Sequence, residues 1–266
     1  MNQPALRLAF ALVVALCPIA SLAQSPPLGA VVQTWNYDPV AKVLTLHVLN
    51  TSHKDITAYN ISLTIKYADG TTAFAESTKD FSPLMATMLE AGSDGYMRAK
   101  YGNGTFAAGA SRDDTFAGQP KDITDVTAIL DVVAYSDSTA DVQNERAFNR
   151  LVVMRRGRAL AAQKVTEVIR QVLNDPKISN PSAAAAAELT RLADVSRTQS
   201  QHLEEGQIVA DETALRSAAG DLKDVQAPSR VGMTERDYLS KYILDNQNRF
   251  AVMSAHASLS KAGGAQ

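Results

Sequence analysis

Few residues of this chain have the types and spacing that acid–base or metal chemistry needs. The four histidines are His47, His53, His202 and His256. None belongs to the paired spacing of a zinc-binding helix, so each is interpreted as a surface side chain. Asp113 and Asp114 are the closest approach to a glycosidase carboxylate pair, but neighbouring residues of a strand point to opposite faces of a sheet.

Nucleophile and phosphate motifs are also missing from the sequence. There is no Gly-x-Ser-x-Gly elbow, and the glycines at 102, 104 and 109 are not followed by Gly-Lys-Ser or Gly-Lys-Thr. We therefore predict no catalytic residue, no metal site and no bound cofactor.

Composition and charge exclude other function classes. The chain has 266 residues, with 26 basic and 28 acidic side chains and a formal charge of -2. A nucleic-acid-binding protein needs a basic surface to neutralise phosphates, so we expect no nucleic-acid partner. With 45% hydrophobic and 20% charged residues, the chain is apolar enough to fold.

The first 23 residues have the pattern of a signal peptide. An uncharged apolar run at 8–16 precedes the small residues of a cleavage site, and we predict cleavage between Ala23 and Gln24. Cys17 follows Leu16 rather than a small residue, so a lipoprotein is the weaker alternative. The mature chain would contain no cysteine and no membrane span, and would be periplasmic or secreted.

Two hydrophobic periodicities divide the mature chain near residue 138. Apolar and polar residues alternate over 59–67, and similarly over 43–49, while 31–37 and 126–135 are further strand candidates. Asp69-Gly70 predicts a two-residue type I′ hairpin, and Asn103-Gly104 repeats the pattern. Six or seven short strands with such turns predict an antiparallel β-sandwich over 24–138.

The run LTLHVLNTSHKDITAYNISLTIKYADG at 44–70 resembles the Ig-like modules of the FxLYD type that recur in secreted and envelope proteins of bacteria. The resemblance covers about 30–137, with DVVAYS at 131–136 in the place of a closing strand. It departs at the namesake motif, since Ile65 to Asp69 only approximate it. Such modules are generally scaffolds or adhesive units, so the resemblance implies location and shape more than activity.

Residues 139–266 have the three-and-four spacing of helices. We expect helices over about 141–174, about 180–222, and from Thr234 onward, packed as a hairpin or three-helix bundle. An apolar stripe follows the first helix, and Arg158 interrupts it. The predicted fold class is therefore α+β, an Ig-like sandwich followed by a helical region.

Two segments are candidates for docking a partner. The first is the apolar segment 81–89, where a short helical turn would bring four side chains to one face: Leu84, Met85, Met88 and Leu89. The alternative is that this turn closes one end of the sandwich. The second is a basic cluster that would attract an anionic surface, or otherwise form a solvated face: Arg155, Arg156 and Arg158.

These observations predict an exported, non-enzymatic structural or protein-interaction module of the bacterial cell envelope, which binds a protein partner or self-associates through its helices. One alternative is an extracytoplasmic hydrolase of an unrecognised kind. The other is a carbohydrate- or lipid-surface binder that uses the arginines or an aromatic patch at Trp35 and Tyr37, although Trp35 is better explained as core packing.

Overall fold

The structure is a computed structural model that describes residues 28–83, 85, 104–201, 208–224 and 232–262. Those residues form a mixed α+β fold in which the strands come first and the helices follow, apart from one two-residue strand at the end. The strands are β1 (Ala30–Asp38), β2 (Val43–Asn50), β3 (Ile56–Tyr67), β4 (Thr72–Asp80), β5 (Ser111–Phe116), β6 (Ile123–Tyr135), β7 (Thr139–Val142) and β8 (Ser260–Lys261). The helices are α1 (Glu145–Asn174), α2 (Pro181–Ser200), α3 (Glu212–Lys223) and α4 (Glu235–Ala255).

The strands form two sheets that share one hydrophobic core. Sheet A has the order β1-β2-β5, and sheet B has the order β4-β3-β6-β7-β8. All pairings are antiparallel except that of β7 with β8. The four strands expected from alternation are confirmed, each with slightly different ends.

Alternation along β3 places its apolar side chains between the sheets. The side chains of Tyr59, Ile61 and Leu63 are at most 2% exposed, and Leu44 and Leu46 of β2 meet them from sheet A. Burying large aliphatic and aromatic side chains against each other is what holds the two sheets together.

The β3–β4 hairpin is confirmed, but the predicted type I′ turn is wrong. Tyr67 and Thr71 bracket a three-residue loop, in which the Gly70 amide donates to the Tyr67 carbonyl at 3.0 Å. Only Gly70 has a positive φ, of +82°, whereas a type I′ turn would also require one at Asp69. The geometry is that of a type I turn followed by a left-handed glycine. The second expected hairpin, at 97–105, lies mostly outside the described residues.

The helical region differs from expectation at two points. The first helix begins at Glu145, not near Asp141, because the Asn144 side chain accepts hydrogen bonds from the amides of Arg146 and Ala147. The single helix expected over 180–222 is wrong, because the structure has α2 and α3 there. Asp211 caps α3 by accepting a hydrogen bond from the Ala214 amide at 2.9 Å.

Helix α1 packs on the face of sheet B that is turned away from sheet A. Ala58 of β3 and Val132 of β6 contact Phe148 and Leu151 of α1 in a small separate core. Residues 139–266 are not entirely helical, because they also contribute the strands β7 and β8 to sheet B. The helical region therefore leaves from and returns to the same sheet. No described helix is long and apolar enough to cross a bilayer.

Candidate functional site

The three arginines that the sequence brings together do not form one surface. They lie on α1, where successive side chains are separated by about 100°. Arg155 points inward and is 2% exposed, Arg156 points outward and is exposed, and Arg158 lies between these extremes. Arg155 is therefore not part of a solvated basic face.

Arg155 instead joins α1 to sheet B. Its Nη2 donates to the Thr57 carbonyl at 3.0 Å, to the Thr57 hydroxyl at 3.1 Å and to Asp80 Oδ1 at 3.0 Å. Arg158 Nη1 donates to the other oxygen of Asp80, whose side chain is 2% exposed. Burial lowers the pKa of Arg155 while the neighbouring Asp80 raises it, and a guanidinium remains charged in proteins.

Two further elements contact this buried ion cluster. Arg158 Nε lies 3.7 Å from Asp211, the residue that caps α3. His256 follows α4 and is 9% exposed, so its interpretation as a surface side chain is wrong. Its pKa is lowered by burial and then by the charge of Arg155. Strand β4 and helices α1, α3 and α4 therefore meet at one set of charges. We refer to Asp80, Arg155, Arg158, Asp211 and His256 as the ion cluster.

The outer surface of α1 borders a groove of about 1020 Å³. Its apolar lining includes Val152, Val153 and Met154 of α1 and also Ile208, and Thr78 of β4 borders it as well. Val153 is 38% exposed, so it presents apolar surface to solvent in the groove. The size is that of sites that bind small molecules or peptide side chains.

Basic side chains surround the apolar lining of this groove. Arg150 donates to Glu76, and Glu145 is held by Lys261 at 2.7 Å. Arg146 and Arg156 are exposed and have no ion-pair partner within the described ranges. Two positive charges that no described acidic residue neutralises therefore lie beside an apolar surface.

Of the predicted docking segment, the structure describes Met85 but not the side chains of Leu84, Met88 and Leu89, which lie outside the described residues. The Met85 amide donates to the Phe81 carbonyl at 2.9 Å, so a helical turn does begin there. Phe81 is 5% exposed and packs edge-on against Tyr59 at 5.7 Å. The start of the segment thus contributes to the sandwich core.

The adjacent carboxylates do point to opposite sides of β5, as the strand geometry predicts. Asp113 is exposed and lies 2.5 Å from His47 Nδ1. Asp114 is 1% exposed, accepts from the Tyr59 hydroxyl at 2.5 Å and lies 3.2 Å from Arg112 Nε. Burial, and then Asp114, raises the pKa of Tyr59. The hydrogen bond between Tyr59 and Asp114 therefore belongs to the core of the sandwich.

Sequence reasoning missed Asp80, the residue on which Arg155 and Arg158 converge. It is 75 positions from Arg155, and nothing local distinguishes it from other acids at strand ends. The available signal was Arg158, a charge interrupting an apolar stripe. Within the described part of the chain, no group of three or more His, Cys, Asp or Glu side chains is placed to hold a metal ion.

Comparison with known proteins gives little to add to this geometry. No protein-family model and no curated protein matches the chain. Among solved structures, it is similar to a hypothetical protein from Peptoclostridium difficile 630 that was solved by X-ray crystallography at 1.85 Å. The match has 11% identity and a TM-score of 0.27, and covers 47% of this chain and 91% of that one.

Proposed function

We propose that this chain is an exported, non-enzymatic protein-interaction module of the bacterial cell envelope. The observation that carries the proposal is the groove beside α1, where an apolar lining and two exposed arginines without an ion-pair partner among the described residues face solvent. Apolar surface bordered by charge is the usual composition of a protein-binding site. In this proposal the ion cluster has a structural part, which is to fix α1 on sheet B.

The proposal includes an Ig-like sandwich. It is supported by seven antiparallel strands in the orders β1-β2-β5 and β4-β3-β6-β7, of which all but β7 contribute residues to the core between the sheets. It also includes removal of the leader. N-terminal sequencing of the protein recovered from the envelope should start at Gln24, and a chain that still begins at Met1 would contradict export by this route.

Site-specific photocrosslinking in the native host tests the binding function. A photoreactive phenylalanine in place of Val153 should give an adduct with a protein partner, because this side chain lies in the groove and is exposed. The control replaces Val40, which is 93% exposed on the turn between β1 and β2. Equal adducts at both positions, or none at Val153, would contradict a binding site in the groove.

A further inference from the structure

Strand β4 is an edge of sheet B, and no described residue pairs with its outer side. Its pairing with β3 has an unbroken register from Lys66 opposite Thr72 to Ala58 opposite Asp80. An unpaired edge presents backbone N–H and C=O groups to which another extended chain can bind. Free edges of this kind are used for recognition when a peptide adds as a further strand.

The hydrogen-bond pattern shows which residues of β4 direct their backbone N–H and C=O groups away from β3. The Tyr67 amide donates to the Thr71 carbonyl at 2.9 Å, and the Phe81 amide donates to the Thr57 carbonyl at 2.8 Å. In an antiparallel pair, bonded and non-bonded residues alternate. The odd-numbered residues of β4 therefore form backbone hydrogen bonds with β3. The N–H and C=O groups of Phe74, Glu76 and Thr78 point to the outer edge of the sheet.

The outer edge of β4 and the groove adjoin at Thr78. Thr78 belongs to the outward-facing set of β4 and also lines the groove. The Glu76 side chain reaches across to Arg150, so α1 stands directly over this end of the strand. A chain laid along β4 would direct alternate side chains toward the exposed face of α1.

Charge indicates what those side chains would be. The exposed guanidiniums of Arg146 and Arg156 have no ion-pair partner in the described residues, while Val153 and Met154 supply apolar surface between them. An occupant with acidic and apolar side chains complements both features. The backbone groups of β4 need a partner that has its own amides, which an acyl chain does not have.

We propose that an extended, acidic and apolar peptide segment of a partner protein adds to β4 as a further strand of sheet B and packs against α1. Phe74, Glu76 and Thr78 span five positions of β4, which corresponds to roughly 17 Å of extended chain. This inference rests on the proposed function and specifies the partner and the mode of binding.

Selection from a displayed library of random ten-residue peptides against the full-length protein tests the proposal. We expect enrichment of sequences with acidic and β-branched or aromatic residues in alternation, and depletion of proline. Failure to enrich any peptide, or enrichment without acidic residues, would overturn it. Binding to phosphatidylglycerol vesicles in place of peptides would also overturn it, and would assign the arginines to a lipid surface.

Strand addition itself is tested with Thr78→Pro, against Thr78→Ala as the matched control. Both variants lose the hydroxyl that accepts from Asn60 at 2.8 Å, but only proline removes the outward N–H, and proline is tolerated at such edge positions. An enriched peptide, measured by fluorescence anisotropy, should lose about tenfold in affinity with proline relative to alanine. Equal affinities would overturn strand addition.

The charge contribution is tested with the double variant Arg146→Glu and Arg156→Glu, which does not depend on Thr78→Pro folding. It should weaken the same peptide by about tenfold or more, while Arg197→Glu, an exposed arginine on α2, should have little effect. Unchanged binding would overturn the acidic specificity. A crosslinked partner at Val153 that persists in the Thr78→Pro chain would reject strand addition while leaving the proposed function intact.

Discussion

The sandwich and the helical region build their cores from side chains of different size. Leu, Ile, Val, Tyr and Phe fill the space between the two sheets, with one alanine, Ala30, among the buried residues. In the helical core, six of the sixteen buried residues are alanine. Because stabilisation scales with the apolar area removed from water, the helices gain less from their own contacts than the sheets do.

The helical region compensates by being attached to the sandwich at several points. It is connected to sheet B through β7 and again through β8, and α1 packs on the outer face of that sheet. The ion cluster adds a buried polar connection between β4 and three helices. We therefore expect the helices to depend on the sandwich for stability more than the sandwich depends on the helices.

Asp80→Asn should have the largest effect, and it tests directly whether the helices depend on their connection to the sandwich. Arg155 and Arg158 would lose their shared counter-charge, and removing one partner of a buried ion pair typically costs about 3–5 kcal/mol. Amide hydrogen exchange should speed up in α1, α3 and α4 while β3 and β6 retain their protection.

The matched control for this change is Asp113→Asn. Asp113 also forms a short pair, with His47, but both side chains are exposed, and such pairs contribute about 0–1 kcal/mol. If Asp80→Asn accelerated amide exchange in the sandwich as much as in the helices, or in neither, the dependence of the helices on the sandwich would be refuted.

Periodicity made the individual elements predictable. Alternation over 59–67 identified β3 and its inward face, because a two-residue period leaves no ambiguity about which side is buried. Helix α4 was expected to begin at Thr234, which caps it by accepting from the Asp237 amide at 3.1 Å. Strands β7 and β8 have four and two residues, too few for a period to be recognised.

Relations between distant elements were not predictable in the same way. Arg155 and Arg156 are neighbours in sequence, and only the packing of α1 on sheet B makes one buried and the other exposed. The groove likewise depends on the position of Thr78 next to α1, which no local pattern encodes. A tertiary contact between residues some 75 positions apart needs a fold before it can be inferred.

Gly157→Ala should have the next largest effect, because Gly157 lies at the contact between α1 and the chain leading to α3. A methyl group at Gly157 would lie 2.8 Å from the Val209 carbonyl oxygen, and the Asp211 amide donates to the Gly157 carbonyl at 2.9 Å. Because the obstructing atom belongs to the backbone, we expect the free energy of unfolding to fall by about 1–2 kcal/mol. Thermal or denaturant unfolding measures this change.

The control for that substitution is Gly220→Ala in α3. Nothing lies within 4 Å of the added methyl group, so the ordinary helix preference for alanine should stabilise the protein by about 0.5–1 kcal/mol. Opposite signs for the two substitutions support close packing at Gly157. A stabilising Gly157→Ala would mean that the connection at Val209 can move away at little cost.

The smallest expected effect is a pH dependence that originates at His256. Its pKa in the folded protein is lowered from the ordinary 6.5 by burial and then by Arg155, with Asp80 acting in the opposite direction. The unfolded chain therefore takes up the proton first, so stability present above pH 6.5 declines as the pH falls below that value. Carboxylates with lowered pKa values, such as Asp137 at about 2, contribute only below about pH 4. The free energy of unfolding, measured with denaturant between pH 7 and 5, should thus decline more steeply in the wild type than in His256→Gln. Identical slopes would show that His256 does not contribute to the contact between the helices and the sandwich.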